Sequence, residues 1–250
     1  MGHLHYYVRD VEANTAFWLA LGGKATRLGE TVVVKFPDVL VFLDRGEPSG
    51  GTEGSVLNHM AFRVQSLEDF KEAGFEMERP DSTSGVNSVF TPERERIELF
   101  DETATNLTFT LDDGHYDPVA ERHNARLSVP IIAHHLHLYL PEGQVEDAQA
   151  WYATMFGGTP GMRWRYAAVD LPGINFNFSS RPETGAPTRG RMLDHVGLEV
   201  TNLEAFCQTL EARGVTFDVP YTESPSGIRS AFLTDPWGTY IELTEGLRGL

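Results

Sequence analysis

The chain of 250 residues contains the same pattern twice, and this repetition limits the folds that it can adopt. The segment HLHYYVRDVEANTAFWLALGG at 3–23 aligns with HLHLYLPEGQVEDAQAWYATMFGG at 135–158, which has a short insertion before its helical part. A second pair follows: NHMAFRVQSLEDFKEAG at 58–74 matches DHVGLEVTNLEAFCQTLEARG at 194–214. Segments that recur in the same order indicate that one structural unit is used several times.

Each repeated segment changes from strand periodicity to helical periodicity. Alternating residues come first, then apolar residues at helical spacing, and then a glycine that ends the helix. Short β-rich runs follow, such as TVVVKF and DVLVFL, separated by turns that contain proline. The sequence therefore predicts an α+β fold of four β-α-β-β-β units.

We expect consecutive units to pair into two domains, at 1–103 and 133–250, joined by a linker at 104–132. The length suits two domains of about 100–125 residues each. The linker is polar and lacks a sustained period, so its histidines, His115 and His123, are expected to be solvated. Within each domain, the paired units are expected to form a curved mixed sheet around a cavity.

Composition excludes several classes of partner. Acidic residues outnumber basic ones by 36 to 20, which gives a net charge of -16 and argues against nucleic acid. No apolar run approaches the roughly 20 residues that span a bilayer, and no signal-peptide core is present. We expect a cytoplasmic protein with a small-molecule substrate. The sequence is also compatible with a leader removed before Met1 and with a homodimer.

Each copy carries two histidines and a glutamate at matching places in strand-like stretches: His3, His59 and Glu98 in the first copy, and His135, His195 and Glu242 in the second. An ionisable group among apolar neighbours is costly unless something binds it. Two imidazoles and one carboxylate form an open divalent-metal site, with positions left for water and substrate. Each copy thus offers a candidate site. We expect at least one of them to bind a metal and favour the second, which keeps a clean Pro-x-Gly turn before its glutamate. Inherited repetition could also leave one site without its metal.

Residues two apart in a strand share a face, so the histidines have companions on the same side. His5 follows His3 and His137 follows His135, and we predict both as catalytic bases or substrate contacts. The alternative is that they are polar residues filling the cavity floor. Substrate contacts are expected from Tyr7, Tyr139, Arg63 and Glu199.

Four features together resemble the vicinal oxygen chelate superfamily, the group of glyoxalases, bleomycin-resistance proteins and extradiol dioxygenases. They are the opening strand with its histidine, the helix ending in Gly-Gly, the strand DHVGLEV and the segment DPWGTYIELTE. The resemblance covers nearly the whole chain apart from the linker, as two tandem domains of this superfamily. It implies a metal that is bound through vicinal oxygens of the substrate.

Two departures narrow the activity that the resemblance implies. Enzymes similar to glyoxalase I use a further glutamate on the last strand of the first unit, where DVLVFL and GINFNF have none. Extradiol dioxygenases usually add a histidine and a tyrosine before the ligand glutamate, where SPSGIRSAFLTDP has neither and Phe232 stands near the tyrosine position. The resemblance still implies a dioxygenase-like, metal-dependent enzyme that uses Fe(II), with Mn, Zn, Ni or Co as other metals that fit. The alternatives are a metal-dependent isomerase or lyase of glyoxalase type and a non-catalytic drug- or metabolite-binding protein of bleomycin-resistance type.

Overall fold

The computed structural model describes residues 2–104, 108–111 and 125–250, and the chain forms two compact units. Unit 1 consists of Met1–Val56 and Ala186–Leu250, and unit 2 consists of Leu57–Gly185. Each unit holds one eight-stranded mixed sheet. The α+β class and the two curved mixed sheets expected from the sequence are confirmed.

Unit 1 is built from the first and last repeats. Its strands are β1 (His3–Val8), β2 (Lys24–Leu28), β3 (Thr31–Lys35), β4 (Leu40–Arg45), β13 (Leu193–Glu199), β14 (Phe217–Glu223), β15 (Arg229–Thr234) and β16 (Tyr240–Glu245), and its helices are α1 (Val11–Ala20) and α4 (Leu203–Ala212). The strand order is β14-β15-β16-β13-β1-β4-β3-β2. A short 3-10 turn, Leu247–Gly249, follows the last strand.

Unit 2 is built from the two middle repeats. Its strands are β5 (Leu57–Val64), β6 (Val86–Phe90), β7 (Arg96–Phe100), β8 (Phe109–Leu111), β9 (Ile131–Pro141), β10 (Thr159–Arg163), β11 (Tyr166–Leu171) and β12 (Ile174–Arg181), and its helices are α2 (Glu68–Glu72) and α3 (Val145–Phe156). The strand order is β6-β7-β5-β9-β12-β11-β10-β8, so seven strands of the two sheets correspond one to one.

The pairing of the repeats differs from the consecutive pairing expected from the sequence. β1 pairs antiparallel with β13, and β5 pairs antiparallel with β9. The first repeat therefore joins the fourth and the second joins the third, so the compact units do not coincide with 1–103 and 133–250. Repetition identifies equivalent strands, but equivalent strands offer equivalent edges, and nothing in a local pattern selects between them.

Part of the expected linker is also structured. β8 lies within 104–132 and pairs with β10, which extends the sheet of unit 2 by one strand. Phe109 in this strand is fully buried against Ala168. His115 and His123 lie outside the described residues.

The helices cover one face of each sheet and leave the other face to polar side chains. On α1, Trp18 is fully buried and packs against Tyr6 of β1 and against Phe36, at ring-centroid distances of 5.5 and 6.0 Å. Because side chains alternate along a strand, His3 and His5 lie on the opposite face, where both rings contact Phe42 of β4. Within the described ranges, no helix is long and apolar enough to span a membrane.

Candidate metal centres

In unit 1, three neighbouring strands bring His3, His195 and Glu242 together. His3 lies on β1, His195 on β13 and Glu242 on β16. The Nε2 atom of His3 is 2.8 Å from Oε2 of Glu242, and Nε2 of His195 is 3.2 Å from the same oxygen. Both histidines are at least 95% buried, with 1% and 5% exposure. Two imidazoles thus converge on one carboxylate oxygen at a buried position on one face of the sheet.

Gly197 makes this convergence possible. In the register of the sheet, Gly197 lies opposite His3 on one side and opposite Glu242 on the other. A Cβ atom at this position would overlap the imidazole ring of His3. The missing side chain therefore leaves the space in which the ring of His3 reaches the glutamate.

Further carboxylates hold the histidines of unit 1. Asp194 accepts a hydrogen bond from Nδ1 of His195 at 2.6 Å, and Asp44 accepts one from Nε2 of His5 at 3.1 Å. One nitrogen from each of His3, His5 and His195 lies within 4.8 Å of the others. Because a carboxylate only accepts, Asp194 holds a hydrogen on Nδ1 of His195, so Nε2 is the nitrogen that carries the lone pair once the imidazole is neutral.

The electrostatics of unit 1 favour a charged carboxylate. Burial opposes its ionisation, but hydrogen bonds from His195 and His3 lower the pKa of Glu242 to about 2. Burial also opposes protonation of His195, yet its hydrogen bonds to Asp194 and Glu242 raise its pKa above the ordinary value. Burial outweighs the contact with Glu242 at His3 and lowers the pKa of that imidazole.

Unit 2 places His59, His135 and Glu98 at the equivalent positions with longer separations. Nε2 of His59 and Nε2 of His135 lie 3.5 and 3.4 Å from Oε2 of Glu98. Ala61 stands where unit 1 has Gly197, opposite both His135 and Glu98. Among the described residues, Nε2 of His59 has no hydrogen-bond partner.

The residues around the second cluster carry different charges. Arg96 donates to Nδ1 of His59 at 2.6 Å, and the side-chain amide of Asn58 is 2.8 Å from the same nitrogen. Nε2 of His137 is 2.8 Å from the hydroxyl of Ser179. Burial, and then the charge of Arg96, holds the pKa of His59 well below its usual range. Burial likewise lowers the pKa of His137 to about 3.

The structure corrects the composition of the two triads. The sequence pattern grouped His3 with His59 and Glu98, and His135 with His195 and Glu242. All six side chains do lie on the predicted sheet faces. However, His3 of the first sequence copy contacts His195 and Glu242 of the second, and His135 of the second contacts His59 and Glu98 of the first. The reason is the crossed pairing of β1 with β13 and of β5 with β9.

The other predicted site residues divide into two groups. Tyr7 lies 5.3 Å from the ring of His5, and Tyr139 stacks on His137 at 5.0 Å, so both tyrosines are beside the clusters. Glu199 instead accepts hydrogen bonds from Thr244 and from the backbone nitrogens of Gly246 and Leu247, so it anchors the turn after β16.

Arg63 acts through its charge on the buried guanidinium of Arg163, whose pKa burial lowers to about 9. The sequence pattern placed Ala61 and Gly197 on the same face as the histidines but assigned them no role, and it did not identify the other flanking residues that distinguish the clusters: Asp194, Asp44, Asn58 and Arg96. The aligned repeats contain a signal for most of them, because DH faces NH and the residue two positions after His195 is glycine where the residue two positions after His59 is alanine.

The donor set of unit 1 fits a divalent metal ion. Ligand atoms at about 2.1 Å from one ion and at right angles to each other lie about 3 Å apart, close to the 2.8 and 3.2 Å found here. A carboxylate behind the ligand imidazole, as Asp194 lies behind His195, is the usual arrangement that fixes a metal-binding tautomer. Unit 2 fits less well, because Arg96 brings a positive charge to its histidine.

Each of the two sheets combines two of the four repeated modules and carries a histidine-rich cluster, which is the arrangement of a vicinal-oxygen-chelate protein. The model of the Glyoxalase/Bleomycin resistance protein/Dioxygenase superfamily matches residues 119–243, half of the chain. The chain belongs to this superfamily. No match was found among curated proteins.

Solved structures support the same fold. Glyoxalase I from Zea mays is similar over 97% of this chain and 91% of its own, with a TM-score of 0.69 and 14% identity. A protein from Bacillus subtilis subsp. subtilis str. 168, named as a candidate dioxygenase, is similar over 97% and 84%, with a TM-score of 0.63 and 10% identity. At these identities the likeness concerns the fold.

Proposed function

We propose that the chain is a divalent-metal-dependent enzyme acting on a small molecule, and that His3, His195 and Glu242 of unit 1 hold the metal. The observation that carries the proposal is the convergence of both Nε2 atoms on one carboxylate oxygen, at 2.8 and 3.2 Å. Asp194 supports it, because this carboxylate leaves the lone pair of His195 on the nitrogen that faces Glu242.

The bound metal would supply a Lewis acid with open positions for two neighbouring oxygens of the substrate. His5 is the proposed base. Its Nε2–H is directed to Asp44, so Nδ1 is the basic nitrogen, and Asp44 stabilises the imidazolium that forms when His5 takes a proton from the substrate. The ring of His5 lies 4.5 Å from the ring of His195, which puts this base beside the ligand set.

A dioxygenase-like reaction fits the number of protein ligands. On β16, Glu242 pairs with the residue that lies two positions after His195. The equivalent pair on the other side of the sheet joins His5, two positions after His3, to Phe42 of β4. An apolar ring therefore occupies the position from which a fourth ligand would come. Three protein ligands leave room for a bidentate substrate and dioxygen, which is typical of non-haem Fe(II) oxygenases. Dioxygen is then the oxidant, and both of its atoms enter the product.

The pair of His5 and Asp44 also favours a second candidate, a metal-dependent isomerase or lyase. Such a base can remove a proton beside a carbonyl group and return it to a neighbouring atom without any oxidant. The two reactions differ in their use of oxygen and in the metal that supports them.

The test is the metal content of the full chain purified without chelators, measured by elemental mass spectrometry together with oxygen uptake. We expect about one metal equivalent in the wild type and loss of it in His195→Ala, with the fold retained by circular dichroism. Iron together with oxygen uptake on catechols supports the dioxygenase-like reaction. Zinc, nickel or manganese with oxygen-independent turnover favours the isomerase or lyase. If no metal binds even after reconstitution, the proposal is wrong and the chain is a binding protein.

A further inference from the structure

The two clusters differ most at the residues that surround the histidines. The strand registers make Asn58 the counterpart of Asp194, Ser179 that of Asp44, Arg96 that of Tyr240 and Arg165 that of Glu30. Three carboxylates of unit 1 are thus replaced in unit 2 by an amide, a hydroxyl and a guanidinium, and a tyrosine is replaced by a second guanidinium. The chain as a whole has a net charge of -16, so the local replacement of acidic residues by neutral and basic ones needs an explanation of its own.

The tautomers of the equivalent histidines are opposite as a result. Arginine can only donate, so Arg96 makes Nδ1 of His59 the acceptor and fixes the hydrogen of His59 on Nε2. The amide of Asn58 suits the same tautomer when its NH₂ group faces Nδ1, which a half-turn of the amide provides. Neutral His59 therefore carries its hydrogen on Nε2, the nitrogen that faces Glu98, whereas neutral His195 carries its hydrogen on Nδ1 and has Nε2 free to bind a metal.

Unit 2 contains buried polar atoms whose hydrogen bonding is incomplete. Among the described residues, Oδ1 of Asn177 has no hydrogen-bond partner, although this side chain is 1% exposed, and Nε2 of His59 has only the long 3.5 Å contact with Glu98. Asn177 pairs with His137 in the sheet and occupies the position of Phe42 in unit 1. An unpaired buried polar group costs about 1–3 kcal/mol, which a polar ligand would recover.

The walls of the second cluster are aromatic and its rim is cationic. The ring of His137 stacks on Tyr139 and meets Tyr166 edge-on at 4.8 Å. Arg165 donates to the hydroxyl of Tyr166 at 3.2 Å, and on the other side of His137 the ring of His59, which Arg96 contacts, lies 5.0 Å away. The two arginines therefore reach His137 from two sides, each through one ring. Arg165 also covers the half-exposed ring of Trp164 at 4.3 Å.

From these observations we infer that unit 2 is a metal-free binding site for a flat organic anion, an aromatic carboxylate, with Arg96 and Arg165 on the carboxylate and the rings of His137 and Tyr166 against the flat face. The carboxylate of Glu98 lies 3.5 Å from Nε2 of His59, so the anionic end of the ligand faces the arginines and its ring extends towards His137. Guanidinium groups bind carboxylates through paired, charge-assisted hydrogen bonds.

Calorimetric titration of the full, metal-loaded chain with benzoate tests this site, with benzamide as the uncharged ligand of the same shape. Benzoate does not chelate through vicinal oxygens, so the metal of unit 1 gives it no second site of that kind. We expect saturable binding of benzoate and at least about tenfold weaker binding of benzamide. Arg96→Gln and the exposed Arg165→Gln should each weaken benzoate binding by about tenfold.

Two control variants separate this site from the proposed metal centre and from general effects. Arg94→Gln removes a solvent-exposed arginine that is paired with Glu76 and lies two residues before Arg96, and it should leave benzoate binding unchanged. His195→Ala, which removes a metal ligand of unit 1, should also leave it unchanged. The inference is overturned by a lack of saturable binding up to about 10 mM, by equal binding of benzamide, by full binding in both arginine variants, or by loss of binding in His195→Ala.

Discussion

The histidine–glutamate cluster of unit 1 depends on a glycine, Gly197, which has no side chain. Gly197 lies between His3 and Glu242 in three adjacent strands, and the imidazole ring occupies the space where a Cβ atom would be. In unit 2 the equivalent Ala61 has a Cβ atom, and the corresponding imidazole is 3.4 Å rather than 2.8 Å from its glutamate. The methyl group of Ala61 is therefore the difference between a short histidine–carboxylate distance in unit 1 and a longer one in unit 2.

Gly197→Ala should displace the ring of His3 and lower the metal affinity of unit 1 by at least about tenfold, with the fold retained. The reverse change in unit 2, Ala61→Gly, creates no overlap and should leave the metal content unchanged. Competition for the metal with a chelator of known affinity, followed by elemental analysis, measures both variants. An unaltered affinity in Gly197→Ala would contradict the role assigned to this glycine.

Sequence reasoning could find the ligand-type residues but could not find their partners. Histidines and glutamates recurring in strand-like stretches were sufficient to predict six side chains on the sheet faces. The flanking residues decide which tautomer each histidine adopts, and their effect follows only from hydrogen bonds such as those of Asp194 and Arg96. These contacts depend on side-chain geometry that spacing along the chain does not specify.

At the level of elements, α1 and α3 are each positioned by one end and by one large aromatic side chain. Asp10 caps α1 by accepting from the backbone nitrogen of Ala13 at 2.9 Å, and Gly157 ends α3 in the left-handed conformation at φ 69°. Fully buried Trp18 and Tyr152 then fix the two helices against the sheets. The Gly-Gly stop and the helical spacing made these elements predictable from the sequence.

Trp18→Ala should destabilise unit 1 by about 3–5 kcal/mol, because it removes a large ring packed between Tyr6 and Phe36. The neighbouring Leu19→Ala, at a side chain that is 41% exposed, should change the free energy of unfolding by less than about 0.5 kcal/mol. Urea unfolding followed by tryptophan-independent circular dichroism compares the two. Similar values for both variants would show that the ring does not carry the packing of α1.

The pairing of elements was less predictable than the elements themselves. Four equivalent opening strands offer several antiparallel pairings that satisfy the same alternation of apolar and polar residues. The choice of β1 with β13, and of β5 with β9, depends on contacts between residues that are distant in the sequence. Consecutive pairing was therefore a reasonable expectation that the structure corrects.

On the scale of the whole molecule, the two units are copies of one design with opposite electrostatics around their histidines. If that difference alone decides which unit binds metal, exchanging the flanking residues should transfer the property. The triple variant Asn58→Asp, Ala61→Gly and Arg96→Tyr gives unit 2 the residues that unit 1 has at the equivalent positions.

The triple variant should bind about two metal equivalents per chain where the wild type binds about one, because His59 gains a carboxylate on Nδ1 and loses the competing guanidinium. Elemental analysis of wild type, triple variant and the triple variant carrying His59→Ala measures the change. A stoichiometry of one in the triple variant, or of two in the wild type, would contradict the electrostatic explanation.

The division of the chain into two units also determines the order in which the units can fold during translation. Unit 2 is one uninterrupted stretch, Leu57–Gly185, whereas unit 1 needs both Met1–Val56 and Ala186–Leu250. During translation the middle of the chain can close first, while β1 waits with an unpaired edge until β13 emerges. The edge of β1 is therefore exposed to mispairing and chaperone capture until β13 is synthesised, and the proposed catalytic centre of unit 1 is completed only after unit 2 has been translated.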